Sequence, residues 1–123
     1  MNKIEVIELA QSLGISNEDF VVLSSSGLVI RGILENAGDL DIAVTKKGLE
    51  ELGKKYSLKQ KDNGWFIVND KVECVLDDME GRKEKVGELY LVDINDYLEY
   101  LELSSREKDK LRIPLVKEYI ENR

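Results

Sequence analysis

The run Asp39-Leu40-Asp41-Ile42-Ala43-Val44 constrains this chain more than any other stretch. Polar and apolar residues alternate through it, and alternate residues of a strand face the same way. Leu40, Ile42 and Val44 therefore belong to one face, and Asp39, Asp41 and Ala43 to the other. Two carboxylates held together repel each other and lose hydration, so an opposing charge is needed. A divalent cation is the commonest answer, because Mg²⁺ takes hard oxygen ligands and negative charge. A structural salt bridge from Asp41 to Arg31 is the alternative, since an unpaired carboxylate within an apolar strand is costly.

Composition narrows the chemistry further. The chain contains no histidine, which excludes histidine acid–base catalysis, Ser-His triads and Cys/His zinc sites. Carboxylates, lysines, tyrosines and hydroxyls remain. Cys74 is the single cysteine, so no internal disulfide forms and a reducing, cytoplasmic setting is expected. The N-terminus reads as an acidic helical pattern rather than a signal peptide, and no apolar run is long enough to span a bilayer. A net charge of −7 argues against a non-specific nucleic-acid coat. The charge is unevenly spread: residues 45–68 carry +3 and residues 104–123 carry +2, against −7 over residues 69–103. Lys46, Lys47, Lys54, Lys55, Lys59 and Lys61 read first as a solvated helix face and turn, with local phosphate contact as the sharper alternative.

With 123 residues, 42% of them hydrophobic, a single domain with a modest core is expected, residues 1–93 holding the sheet and residues 94–123 adding helices. Asn2 and Glu5 form a capping-box pattern ahead of a helix over residues 3–13, which Gly14 ends. Residues 20–23 read as a strand running into the small-residue turn Ser24-Ser25-Ser26-Gly27, and residues 28–34 as a short helix. After the strand at Asp39 come a helix over residues 46–56, a tentative strand at 56–59, and strands at 65–68, 72–76 and 89–92. Asn69-Asp70 fits a tight hairpin turn. Asp93 caps a helix over residues 94–103. The last helix covers residues 111–120 and begins near Ile113 or kinks there, because Pro114 cannot donate a backbone bond. The order predicts an α+β fold, a mixed sheet of about five strands with helices mainly on one side.

Chemistry-bearing residues follow in a set order. The serine turn opens a helix, where backbone N–H groups and hydroxyls suit an anionic phosphate, although serine is equally a routine N-cap. Asp39 and Asp41 come next. Glu73, interrupting the apolar run 72–76, is the best candidate for a third carboxylate and Asp77 the weaker one; a solvated hairpin face also explains Glu73. Three carboxylates and two metal ions can activate a hydroxyl and stabilise a departing pyrophosphate. Trp65 reads as core rather than a base-stacking platform, and Tyr90, Tyr97 and Tyr100 as packing. Arg106, Lys108 and Lys110 read as helix surface. Cys74 reads as a buried bystander.

The pattern Ser24-Ser25-Ser26-Gly27-Leu28, Arg31-Gly32-Ile33 and Gly38-Asp39-Leu40-Asp41-Ile42-Ala43-Val44 resembles the motif of the DNA-polymerase-β-like nucleotidyltransferase superfamily. It is closest to minimal bacterial and phage members and to aminoglycoside and lincosamide nucleotidyltransferases. Arg106-Glu107-Lys108-Asp109 resembles a helix common in those small relatives. Together the likeness covers about residues 20–76 and 94–120. The superfamily usually has Gly-Gly or Gly-Ser at the phosphate turn, where this chain has Ser24-Ser25; a β-carbon is penalised there if φ is positive. The resemblance implies transfer of an NMP group from an NTP to an acceptor hydroxyl on a small molecule, tRNA or protein. It implies two Mg²⁺ ions, with Mn²⁺ as a substitute, on Asp39, Asp41 and Glu73. Ser24, Ser25, Ser26, Gly27 and Arg31 would hold the nucleotide. A homodimer or partner protein is expected to complete so small an enzyme. The alternative is a catalytically weak or inactive member acting as a binding or regulatory module, as in a toxin–antitoxin pair or a phage operon. A weaker third reading is an acidic mimic that uses residues 69–103 as its contact face.

Overall fold

Asn2 and Glu5 exchange hydrogen bonds as a capping box and start helix α1 (Lys3–Ser12). Gly14, at φ +71°, turns the chain out of it. A single 3-10 turn, Asn17–Asp19, leads into strand β1 (Phe20–Val22). Helix α2 (Ser24–Ile30) then crosses to strand β2 (Leu40–Val44). Thr45 caps helix α3 (Lys46–Lys55) by accepting from the Gly48 N–H at 3.0 Å. Glycine is required at 48, because a β-carbon would lie 2.8 Å from the Asp19 carbonyl oxygen. Strands β3 (Lys59–Gln60), β4 (Phe66–Ile67) and β5 (Val72–Leu76) follow, then β6 (Lys83–Val86) and β7 (Leu89–Val92). Asp93 caps helix α4 (Ile94–Leu103), and helix α5 (Glu107–Glu121) ends the chain. This is a computed structural model, and residues 1–77 and 81–123 are described.

Among the described residues the fold is α+β, with five α-helices and a mixed seven-stranded sheet in the order β3-β4-β5-β2-β1-β7-β6. Strand β2 lies antiparallel to β1 and parallel to β5, and β1 lies parallel to β7. Phe20, Val22, Leu40, Ile42, Val44, Val72, Cys74, Leu89 and Leu91 form the covered face, closed by Val6, Ala10 and Leu13 of α1, Val29 and Ile30 of α2, and Leu52 of α3. Burying these side chains contributes roughly 1.5–3 kcal/mol each, before chain entropy opposes it. A second cluster joins Leu28 of α2 to Ile94, Tyr97 and Leu101 of α4 and Val116 of α5. Asp109 is buried at the α4–α5 turn and accepts a 2.7 Å hydrogen bond from the Ser104 hydroxyl.

Four expectations change. The sheet has seven strands instead of about five. Strand β6 was not foreseen because Lys83-Glu84-Lys85-Val86 carries little apolar signal; it is an edge strand paired only with β7. Helix α2 begins at Ser24 rather than near residue 28, so the serines lie inside its first turn. Helix α5 begins at Glu107 and holds Pro114 in its interior. Pro114 and Lys110 are both exposed, so water can reach the carbonyl that loses its donor.

Candidate functional site

Leu40 and Ile42 are fully buried toward the helices, which turns Asp41 and Ala43 to the opposite face of β2. Asp39 is exposed at the foot of the strand. Parallel pairing sets Asp41 directly beside Glu73 of β5. Residues opposite each other in a ladder present side chains to the same face, so both carboxylates stand on the open side of the sheet. Burial pushes the Asp41 carboxyl up to about 6, with further upward push from Asp39 and then Glu73; Lys61 and Lys108 oppose it. The other two expected acidic residues, Asp39 and Glu73, therefore both act on Asp41.

Two cations moderate this cluster. Lys61 Nζ lies 2.9 Å from Glu73 Oε1, and both side chains are about one-third exposed. The β3–β4 hairpin delivers Lys61 there: Lys59, Ile67 and Glu73 fall in one cross-strand row, and Lys61 shares the face of Lys59. Lys108 arrives on the first turn of α5. Among the described residues, no three acidic, histidine or cysteine side chains are close enough to form a ready metal cluster. The donor set is nonetheless all oxygen, as a hard divalent ion takes. Glu73 joins such a set only by releasing Lys61.

The serine turn is fastened to the same corner. The Leu23 N–H donates to the Asp41 carbonyl at 2.9 Å, and the buried Ser26 hydroxyl donates to the Asp39 carbonyl at 2.6 Å. No serine is the N-cap of α2: Leu23 takes that position, without a side-chain cap bond. Ser24 adopts φ +54°, the one non-glycine residue with positive φ among those described. An L-residue in this region costs about 1–2 kcal/mol. Ser25 is half-buried beside it. Gly27 is buried in ordinary helix, where a β-carbon would meet nothing closer than 3.7 Å. The conformation that favours glycine thus falls on Ser24, three residues before the glycine that the chain carries.

Arg31 lines a small pocket with Ser24 and Gly27, and its Nη1 is buried with no hydrogen-bond partner among the described residues. Its Nη2 donates to the Val92 carbonyl at 2.9 Å, and its guanidinium lies 6.0 Å from the Tyr119 ring centroid. Burial holds its pKa below the ordinary value. It ties α2 to the β7–α4 junction and α5, and makes no salt bridge to Asp41. Asp77 lies four residues beyond Glu73, where its N–H donates to the Val44 carbonyl at 2.9 Å; Glu73, not Asp77, neighbours Asp41. Cys74 is fully buried, and burial raises its thiol to about 11.

Sequence reasoning passed over two contributors. Lys61 was expected as a solvated charge, and period-two faces across a β3–β4–β5 hairpin would have revealed its partner. Trp65 was expected in the core, yet it is half-buried and lines a cleft of about 270 Å³ with Leu23, Ser24, Tyr97 and Tyr100. Among the described residues, no helix is long and apolar enough to cross a membrane. Comparison with protein-family models, curated proteins and solved structures found no match for this chain.

Proposed function

We propose that the chain is a divalent-metal-dependent nucleotidyltransferase of the polymerase-β-like kind, moving an NMP group from an NTP to an acceptor hydroxyl. One observation carries this reading. Asp41 and Glu73 sit in register on the open face with Asp39 alongside, and burial, with Asp39 and Glu73 adding to it, pushes Asp41 up to about 6. Carboxylates at structural positions are normally paired, and perturbed groups cluster at functional sites.

Asp39 and Asp41 would hold Mg²⁺ or Mn²⁺, and Glu73 would complete the set once Lys61 withdraws. Such ions supply charge neutralisation and acidify an attacking hydroxyl. The protein's own contribution is positioning. The turn of Ser24, Ser25, Ser26 and Gly27 would orient the triphosphate, held against the aspartates by the Ser26 and Leu23 bonds. Lys61 and Lys108, already facing Asp41, would oppose the phosphate charge. As the acceptor oxygen bonds to the α-phosphorus, the bond to the β-phosphate oxygen breaks and pyrophosphate leaves.

A second reading, a binding or regulatory module of the same fold with weak or no turnover, is favoured by the Lys61–Glu73 ion pair and by Ser24 where glycine suits the backbone. Thermal shift with ATP, GTP, CTP and UTP, with and without Mg²⁺ or Mn²⁺, tests the proposal. A metal-dependent rise that is lost in Asp41→Asn is expected. No rise with any nucleotide would overturn it in favour of the module.

A further inference from the structure

Large aromatic side chains are seldom left in solvent without a partner, and here they gather at one place. Tyr97 and Tyr100, one turn apart on α4, stack with ring centroids 5.8 Å apart and planes 22° from parallel. Tyr100 is 50% exposed. Trp65, carried in from the β3–β4 hairpin, lines the same cleft. The cleft also takes in Leu23 and Ser24, and the Leu23 N–H is the group bonded to Asp41. An aromatic slot therefore opens off the strained turn, one hydrogen bond away from the Asp41 backbone. Part of its polar lining is already engaged: the Asp96 carboxylate accepts two N–H bonds from Arg82, and the Tyr97 hydroxyl meets Arg112. The larger part of what the cleft offers is flat π-surface, from Trp65, Tyr97 and Tyr100. Every nucleobase has a π-face, and aromatic stacking tolerates sequence because it does not read hydrogen bonds.

We propose that the cleft between Trp65 and the Tyr97–Tyr100 pair receives the nucleobase of the NTP, selecting purines over pyrimidines by stacking area without distinguishing adenine from guanine. This rests on the nucleotidyltransferase reading for its phosphate end, and on the aromatic geometry for its base end. The two ends are separable by experiment.

Trp65 is the only tryptophan in the chain, so its fluorescence reports the cleft directly. Full-length protein is titrated with ATP, GTP, CTP, UTP, adenosine and inorganic tripolyphosphate, with and without Mg²⁺. ATP and GTP should quench Trp65 with affinities within about threefold of each other, and several-fold tighter than CTP and UTP. Adenosine should quench without Mg²⁺, and tripolyphosphate should not. Tyr100→Ala, at a half-exposed position whose loss spares the core, should weaken ATP about tenfold with an unchanged circular dichroism spectrum. Quenching by adenosine without any Mg²⁺-dependence for ATP would support the cleft while removing the transferase reading. A Mg²⁺-dependent ATP thermal shift with silent Trp65 fluorescence and unaltered affinity in Tyr100→Ala would overturn the cleft and leave the transferase standing. Binding of one purine to the exclusion of the other would overturn selection by stacking area.

Discussion

The two faces of one sheet are built to opposite ends. On the covered face, Leu40, Ile42, Val44, Val72 and Cys74 meet three helices and are almost fully removed from water. On the open face, the intervening residues Asp41 and Glu73 stand in register, and the charged form of Asp41 is disfavoured by burial first and by Asp39 and Glu73 after it. The same ladder therefore holds the strongest stabilisation and a local conflict within one residue of each other. Strand alternation makes this affordable, since rigid packing on one side fixes carboxylates that would otherwise swing apart. A fold that needed only stability would have no reason to keep the second face acidic.

Four substitutions probe that contrast, from the largest effect to the smallest. Ile42→Ala, on the covered face, should cost about 3 kcal/mol in urea unfolding, because a central strand cannot collapse around the void. A cost below about 1 kcal/mol would show the covered face to be loosely packed. Asp41→Asn, one residue away, should move stability the other way, by about +1 kcal/mol at pH 7.5, solvent contact screening the remainder. The sign follows from linkage. Asp41 titrates near 6 when folded, against an ordinary 3.8, so the native state holds the proton more tightly between those values. Its favourable contribution is full below about pH 4 and is lost as pH rises through 6. The gain from Asp41→Asn should thus vanish by pH 4, and metal binding to the native protein should strengthen as pH rises through 6.

Ser24→Gly should stabilise by roughly half as much as Asp41→Asn, measured by thermal melting. Glycine relieves the φ +54° backbone but also adds freedom to the unfolded chain. Destabilisation would show that the serine hydroxyl matters more than the strain. Lys61→Met should change stability by only a few tenths of a kcal/mol, as expected for a part-exposed ion pair. It should, however, raise the Asp41 titration further above 6, which ¹³C carboxyl chemical shifts would follow. An unmoved titration would separate Lys61 from the cluster.

The covered face was legible in the sequence because period-two apolar runs and capping residues are local signals. The box of Asn2 and Glu5 and the Asp93 cap each act within three residues. The opposing carboxylates were legible for the same reason, since alternation alone puts Asp39 and Asp41 on one side. What was hidden depends on distant partners. Strand β6 exists only because β7 offers it an edge, and Pro114 is tolerated only because its side of α5 faces water. Arg31 was expected as the salt-bridge alternative for Asp41, yet its Nη2 donates to the Val92 carbonyl, far along the chain. Trp65 left the core because strand alternation sets it opposite Phe66, which takes the place against the core.

Crystals of the protein soaked with Mn²⁺ and a non-hydrolysable NTP, with data collected at the manganese edge, test the open face most directly. The account predicts an anomalous peak bound by Asp39 and Asp41 oxygens, with Lys61 moved off Glu73. A nucleotide and ion bound elsewhere, or an undisturbed Lys61–Glu73 pair with no peak at the aspartates, would contradict it.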